Sequence, residues 1–242
     1  NNNVKIAGCF SPLPGSYFKD KSISKKEMIE TYLSIGELQK DDVDFFIIET
    51  MSSIDEAVNA VEALSNFNKK ILICFCLSEG DGTKLFSGED LSKACDLIQI
   101  DKISGLCLNC SQFEDISIGL DILKKYSLPF GALPNNFQSV KPLKLGMSVD
   151  NIKKRNDILI EDFVNYSNIW LKKGCTILGG CCEITPDYIN GLNQFLMENK
   201  YNKVNLENFQ FDLSVIQEFI NKNESLSNLK PLEVGIQKWT NM

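Results

Sequence analysis

Short, unbroken apolar runs alternate with longer amphipathic stretches along the first 200 residues of the chain. The apolar runs predict strands at 4–8, 43–50, 70–77, 103–110, 129–133 and 175–180. The stretches between them carry apolar residues at helical spacing and predict helices at 24–39, 53–67, 88–98, 113–126, 158–172 and 186–197. Strands that alternate with helices and are apolar on both faces are typical of a parallel sheet covered by helices.

Two helix starts carry local signals. Ser24 followed by Glu27 predicts a capping box, and Thr185 before Pro186 predicts an N-cap with a first-turn proline. The tail, residues 201–242, is polar and rich in Asn, with one amphipathic helix predicted near 212–220.

Six strand–helix units fit either a doubly wound sheet or part of a (β/α)₈ barrel. A doubly wound nucleotide-binding sheet is expected to carry a glycine-rich turn after a strand. None of the six predicted strands is followed by such a motif; Gly80-Asp81-Gly82 and Gly179-Gly180 come nearest. The barrel is therefore the favoured fold class.

The composition removes several kinds of chemistry. The chain has no histidine, which excludes a Ser-His-Asp triad, a Cys-His dyad and a His-ligated metal. Its net charge is −7 and Arg155 is its one arginine, which argues against nucleic acid as a partner. No apolar run approaches the ~18 residues that span a membrane. Nine irregularly spaced cysteines indicate reduced thiols and a cytoplasmic location.

Candidate chemistry lies at the predicted strand ends. The first strand is followed by Cys9, the second ends at Glu49-Thr50, the fourth at Asn109-Cys110, and the sixth at Gly179-Gly180 before Cys181-Cys182. The carboxyl ends of parallel strands share one rim, so a carboxylate and at least three thiols are expected to converge there.

Cys181 and Cys182 are unusual because neighbours in a strand point to opposite faces. The two preceding glycines let the backbone turn so that both sulfurs can face one point. With Cys110 they predict a three-thiolate site with an open fourth position, the pattern of a catalytic zinc ion.

Simpler interpretations compete for each residue. Structural packing is the expectation for five cysteines and remains open for the vicinal pair; the five are Cys74, Cys76, Cys95, Cys107 and Cys175. Cys9 stays open, and Glu49 could be a solvated strand end.

Three segments resemble the homocysteine S-methyltransferase family: FFIIETM (45–51), LCLNC (106–110) and ILGGCCEITPDYI (177–189). Residues 7–20 and 81–94 also look like family segments. The resemblance implies a (β/α)₈ barrel with zinc held by Cys110, Cys181 and Cys182, and Glu49 binding the amino group of homocysteine. It implies transfer of a methyl group from a cationic donor to the zinc-held homocysteine sulfur, giving methionine.

The chain departs from the family pattern at its start. The family's first strand, ending in D-G-G/A, and its second strand are not found, so we expect an incomplete barrel over 1–200, comprising units three to eight, and a C-terminal extension over 201–242. Betaine-using members carry an aromatic residue where Thr50 stands, so S-methylmethionine or S-adenosylmethionine is the expected donor. The alternatives are a barrel fragment that binds metal or a partner without catalysis, and, less favoured, a thiol redox protein using Cys181-Cys182.

Overall fold

The computed structural model describes residues 4–13, 15–17, 23–143 and 147–201. The strands are β1 Ala7–Phe10, β2 Phe45–Met51, β3 Ile71–Phe75, β4 Leu77–Ser78, β5 Asp81–Leu85, β6 Gly105–Asn109, β7 Phe130–Leu133 and β8 Ile177–Leu178. The helices are α1 Lys25–Gln39, α2 Ile54–Leu64, α3 Leu91–Leu97, α4 Phe113–Leu123, α5 Ile160–Lys172 and α6 Pro186–Glu198. Single 3₁₀ turns lie at Ile100–Lys102 and Val149–Asn151. The helix predicted near 212–220 lies outside the described residues.

The main sheet is six-stranded and parallel throughout, in the order β1-β2-β3-β6-β7-β8. Its strands correspond to the six predicted apolar runs and follow one another across the sheet in chain order. Four lie within the predicted bounds and are shorter. β2 ends one residue later, at Met51, and β1 is shifted towards the C-terminus, so that Cys9 lies within the strand and not after it. In the described part of the chain β1 and β8 are the outer strands and the barrel is not closed. No described helix is both long and apolar enough to cross a membrane.

The two faces of the sheet pack differently. Phe46 and Ile48 of β2 point towards the helices and belong to the large core, with none of their surface exposed. The alternate residue Ile47 points to the concave face, where it packs with Leu72, Cys74 and other inward side chains. The strands read as continuous apolar runs because both faces are covered along most of their length.

The β4–β5 hairpin was not predicted from the sequence. Its strands are antiparallel and follow β3 directly, with Gly80 at a φ of 83° in the turn. The Asp115 carboxylate of α4 accepts a hydrogen bond from the Gly80 N–H, and the close approach of Gly82 to α4 leaves no room for a Cβ. Tertiary docking therefore stabilises a polar segment whose own pattern resembles a loop.

One capping prediction is confirmed and another needs correction. Ser24 and Glu27 form the reciprocal capping box. Thr185 stands at the N-cap of α6, but its side chain makes no capping hydrogen bond, so Pro186 is the operative start signal.

A long connection joins β7 to α5, and Arg155 anchors its far end. The guanidinium binds both oxygens of Glu114 on α4 at 2.8 Å and also Asp157, and only 12% of the Arg155 side chain is exposed. This bidentate contact fixes the end of the connection that leads into α5 against α4.

Candidate metal centre

The sulfurs of Cys110, Cys181 and Cys182 meet at the carboxyl-terminal rim, as the sequence predicted. The Cys110 sulfur lies 3.0 Å from that of Cys181 and 3.6 Å from that of Cys182, and the last two are 4.0 Å apart. A tetrahedral ion about 2.3 Å from each sulfur needs sulfurs about 3.8 Å apart. The triangle is therefore close to the size that such an ion requires, and the group could hold a metal.

Cys110 is presented by a strained turn at the end of β6. Its φ is +49°, an uncommon conformation for a residue with a Cβ. The Cys110 N–H donates to the Leu133 carbonyl at 3.0 Å, and its own carbonyl accepts from the Asn135 side-chain amide at 2.8 Å. The Cys76 thiol also donates to that carbonyl, at 3.6 Å. These contacts fix the residue in the conformation that turns its sulfur towards the rim.

The vicinal pair is held by the same short segment after β7. The Cys181 N–H donates to the Pro134 carbonyl at 2.8 Å, and the Asn136 N–H donates to the Cys182 carbonyl at 3.0 Å. Residues 134–136 thus make hydrogen bonds both to Cys110 and to the Cys181-Cys182 pair. The predictions from sequence do not include this role; the Asn135-Asn136 pair directly after a strand is the signal that indicates it.

The role expected of the glycines needs correction. Neither Gly179 nor Gly180 has a positive φ, so conformational freedom is not what the turn requires. A Cβ on Gly180 would lie 2.3 Å from the Ile184 side chain. Glycine is needed there because the chain folds back closely on itself after the pair.

The three thiols share their protons unequally. Hydrogen bonds from Cys110 and Cys181 hold the pKa of the Cys182 thiol well below its ordinary value. The bonds from Cys181 to Cys110 and to Cys182 raise the pKa of Cys181, because they stabilise its protonated form. The cluster therefore favours one thiolate even without a cation, and a bound divalent ion favours all three.

Glu49 is half-buried on β2, on the concave face two residues beyond Ile47. Burial raises the pKa of its carboxyl group, the Cys9 thiol opposes the rise through a hydrogen bond, and the negative charge of Cys182 adds to it. The carboxylate thus interacts with both the strand-end Cys9 and the sulfur cluster. Burial, followed by the Glu49 charge, raises the pKa of Cys9 to about 12, so Cys9 is a neutral hydrogen-bond donor.

Tyr17 is a site residue that the sequence reasoning missed. Its hydroxyl donates to the Cys110 sulfur at 2.9 Å, and its ring packs on the ring of Phe86, the residue that follows β5. Phe137 and Val140 complete an apolar wall around the cluster. A tyrosine in the Pro-, Gly- and Ser-rich loop after β1 was the available signal; Phe18–Asp20 of that loop lie outside the described residues.

Packing explains most of the remaining cysteines. Cys74, Cys95, Cys107 and Cys175 are at most 1% exposed within the core, as expected. Cys76 is equally buried but packs directly beneath Cys110.

A sequence profile of the homocysteine S-methyltransferase family matches residues 1–196. The chain belongs to this family. It is 28% identical to a selenocysteine methyltransferase of Astragalus bisulcatus over 64% of its own length and 45% of that protein's. It is 27% identical to homocysteine S-methyltransferase 2 of Arabidopsis thaliana, over 67% and 48% of the two lengths. The chain thus spans about half the length of the relatives it matches.

A solved member of the family has a similar fold. The homocysteine methyltransferase MmuM from Escherichia coli, in its apo form, superimposes with a TM-score of 0.56 at 20% identity. The match covers 78% of this chain and 62% of MmuM. At that identity the likeness supports the barrel-type architecture of the sheet.

Asn135, in the segment after β7, supports the turn that carries Cys110. Asn135→Ala removes the donor to the Cys110 carbonyl and the acceptor of the Phe137 N–H, so the Cys110 turn loses its support. We expect affinity for a thiophilic divalent ion to fall about 10- to 100-fold. Competition with a chelator measures it. Asn151→Ala, which removes an exposed amide bonded to Ser148, is the control and should bind the ion normally. Equal affinities in the two variants contradict the role of residues 134–136.

Proposed function

We propose that the chain carries a zinc-dependent centre that transfers a methyl group from a sulfonium donor to homocysteine, giving methionine. The observation that supports it most is the triangle of three cysteine sulfurs at the carboxyl-terminal rim. Soft thiolates favour zinc over magnesium or calcium, and three protein ligands leave one position for a substrate. Family membership supports the acceptor, and a further MmuM structure is described as metallated.

Residues of this chain supply the ligands and the surroundings. Cys110, Cys181 and Cys182 would hold the ion. A zinc ion bound there supplies Lewis-acid chemistry that keeps the acceptor sulfur as its thiolate, where a free thiol of pKa ~8.5 is mostly protonated at neutral pH. The apolar side chains of Phe137 and Val140 exclude water beside the sulfurs. A dry surrounding strengthens attraction between a thiolate and a cationic methyl donor.

Glu49 is suited to the ammonium group of homocysteine. It is the carboxylate that couples electrostatically to the sulfur cluster from the concave face. Its partial burial makes an unpaired negative charge unfavourable, and an ammonium group that donates to it compensates. Cys9 donates a hydrogen bond from the adjacent strand and so orients the carboxylate.

The displacement itself needs no base from the protein once the sulfur is a thiolate. The thiolate forms a bond to the methyl carbon, and the bond from that carbon to the donor sulfonium breaks. The electron pair leaves with the donor, which departs as a neutral thioether. This chemistry agrees with a chain that has no histidine.

The alternative is a metal-thiolate or partner-binding barrel without catalytic activity. The same sulfur cluster supports it, because three thiolates bind a thiophilic ion whether or not a substrate follows. Metal content with no turnover of homocysteine would favour this alternative.

Zinc content is the direct test of the centre. The full chain, purified without chelator, should contain about one zinc ion per chain, since three converging thiolates form one site. Cys110→Ser and Cys181→Ser should each lose it. Cys95→Ser, in the helix-covered core, should retain it. Metal retained in both site variants would show that the ion is held elsewhere.

Glu49→Gln tests the substrate contact. The neutral amide loses a charge-assisted hydrogen bond worth roughly 1.5–3 kcal/mol, so homocysteine binding should weaken by about one to two orders of magnitude. Zinc content should stay unchanged because the carboxylate is not a ligand. Glu56→Gln is a matched control: that carboxylate is buried on α2 and binds Tyr32 and the Leu13 N–H. A Glu49→Gln protein that loses zinc but keeps its homocysteine affinity refutes the assignment.

Donor choice is tested by product formation. With homocysteine supplied, S-methylmethionine or S-adenosylmethionine should give methionine, and betaine should not. The reason is Thr50, a residue that is 5% exposed and whose hydroxyl accepts a hydrogen bond from Asn109. The resemblance places an aromatic residue at this position in betaine-using members. Methionine formed from each donor is measured by chromatography. Turnover of betaine at a rate comparable to that of the sulfonium donors overturns the expectation.

A further inference from the structure

Tyr17 makes the sulfur cluster asymmetric. Its hydroxyl lies 2.9 Å from the Cys110 sulfur, and only 9% of the residue is exposed. In the described part of the chain, the side-chain hydrogen-bond partners of the Cys181 and Cys182 sulfurs are the other sulfurs of the cluster. Among the described residues, the Cys110 sulfur therefore has a phenol donor, whereas the Cys181 and Cys182 sulfurs have none.

The phenol contact is compatible with metal binding. A cysteine thiolate has three lone pairs, and a metal ion uses one of them. Metal binding removes the thiol protons, and with them the hydrogen bonds among the three sulfurs. A phenol carries its own proton, so the Tyr17 contact remains. Its donor stays in place because the ring packs on Phe86 in the wall of the site.

This asymmetry matters for a methyl-transfer site. A methyl donor that approaches the acceptor sulfur also approaches three ligand thiolates, which are nucleophiles themselves. A hydrogen bond to a ligand sulfur draws electron density from it and lowers its nucleophilicity. We propose that Tyr17 is a positioning residue whose phenol slows methylation of the Cys110 sulfur relative to the Cys181 and Cys182 sulfurs. The inference rests on the proposed function.

The reaction that Tyr17 slows is a nucleophilic displacement at the methyl carbon of the donor. The Cys110 sulfur would form a bond to the methyl carbon, the bond from that carbon to the donor would break, and the electron pair would leave with the donor. Cys110 would become a thioether, which is no longer an anionic ligand. Each such event would disable one site.

Iodomethane tests the proposal because it is a small methyl electrophile with iodide as the leaving group. The full chain loaded with zinc is treated with it, and methylation of each cysteine is followed by peptide mass spectrometry. Tyr17→Phe keeps the ring and removes only the donor. It should raise the methylation rate of Cys110 about ten-fold relative to Cys181 and Cys182 in the same molecule. Tyr32→Phe, which removes a buried hydroxyl bonded to Glu56, should leave that ratio unchanged.

The internal ratio separates protection from loosened packing. An unchanged ratio in Tyr17→Phe, or a rise at all three cysteines together, overturns the proposal. Tyr17→Met is a second variant without a donor, and its flexible side chain can fill the gap; it should change the ratio in the same direction. With cobalt(II) in place of zinc, loss of the hydrogen bond should move the thiolate-to-cobalt charge-transfer band to longer wavelength, and an unmoved band counts against the contact.

These measurements stand apart from the proposed function. Iodomethane requires neither homocysteine nor a sulfonium donor, so a chain with no methyltransferase activity still reports on Tyr17. Zinc content is measured separately on each variant. Normal zinc, no turnover and a raised Cys110 ratio would uphold the phenol contact and reject the proposed reaction.

Discussion

The candidate site depends on one backbone constraint: residues 134–136 bind the Cys110 turn on one side and the Cys181-Cys182 turn on the other. These hydrogen bonds extend the parallel pairing of β6, β7 and β8 beyond the strand ends. Cys110 and the Cys181-Cys182 pair, about 70 residues apart in sequence, are thereby held by the segment that follows β7, the strand between β6 and β8. The sulfurs meet because the sheet continues as hydrogen-bonded turns at its rim.

The cysteines of this fold lie in two kinds of surroundings, which have opposite effects on the pKa of the thiol. On the concave face, Cys74 and Cys107 occupy neighbouring positions on β3 and β6, fully buried among Ile47 and Leu72. Burial raises the pKa of Cys74 because it disfavours the thiolate. At the rim, hydrogen bonds among thiols instead stabilise the thiolate of Cys182. Surroundings, more than the number of cysteines, distinguish packing residues from candidate ligands.

The sequence predicted the parts of the fold that follow from local periodicity. The six parallel strands could be found because each is an apolar run covered on both faces. The strand-end positions of Cys110 and Cys181-Cys182 followed from that parallel order. The β4–β5 hairpin could not be found, because docking of Gly80 and Gly82 on α4 stabilises it. Tyr17 was missed because its contact joins two loops 93 residues apart, which no local pattern records.

In the proposed function, electrostatics would couple binding of the cation to binding of the acceptor on this rim. The thiolate of Cys182 contributes to the raised pKa of the Glu49 carboxyl group, after burial. A divalent cation at the three sulfurs reverses the sign of that neighbouring charge and so favours the ionised carboxylate. An ionised Glu49 in turn attracts an ammonium group towards the cluster. Because coupling between two binding events is reciprocal, the acceptor's ammonium group favours retention of the cation by the same free energy. In the proposed function, Glu49 would therefore bind the acceptor most strongly when the three sulfurs hold a cation.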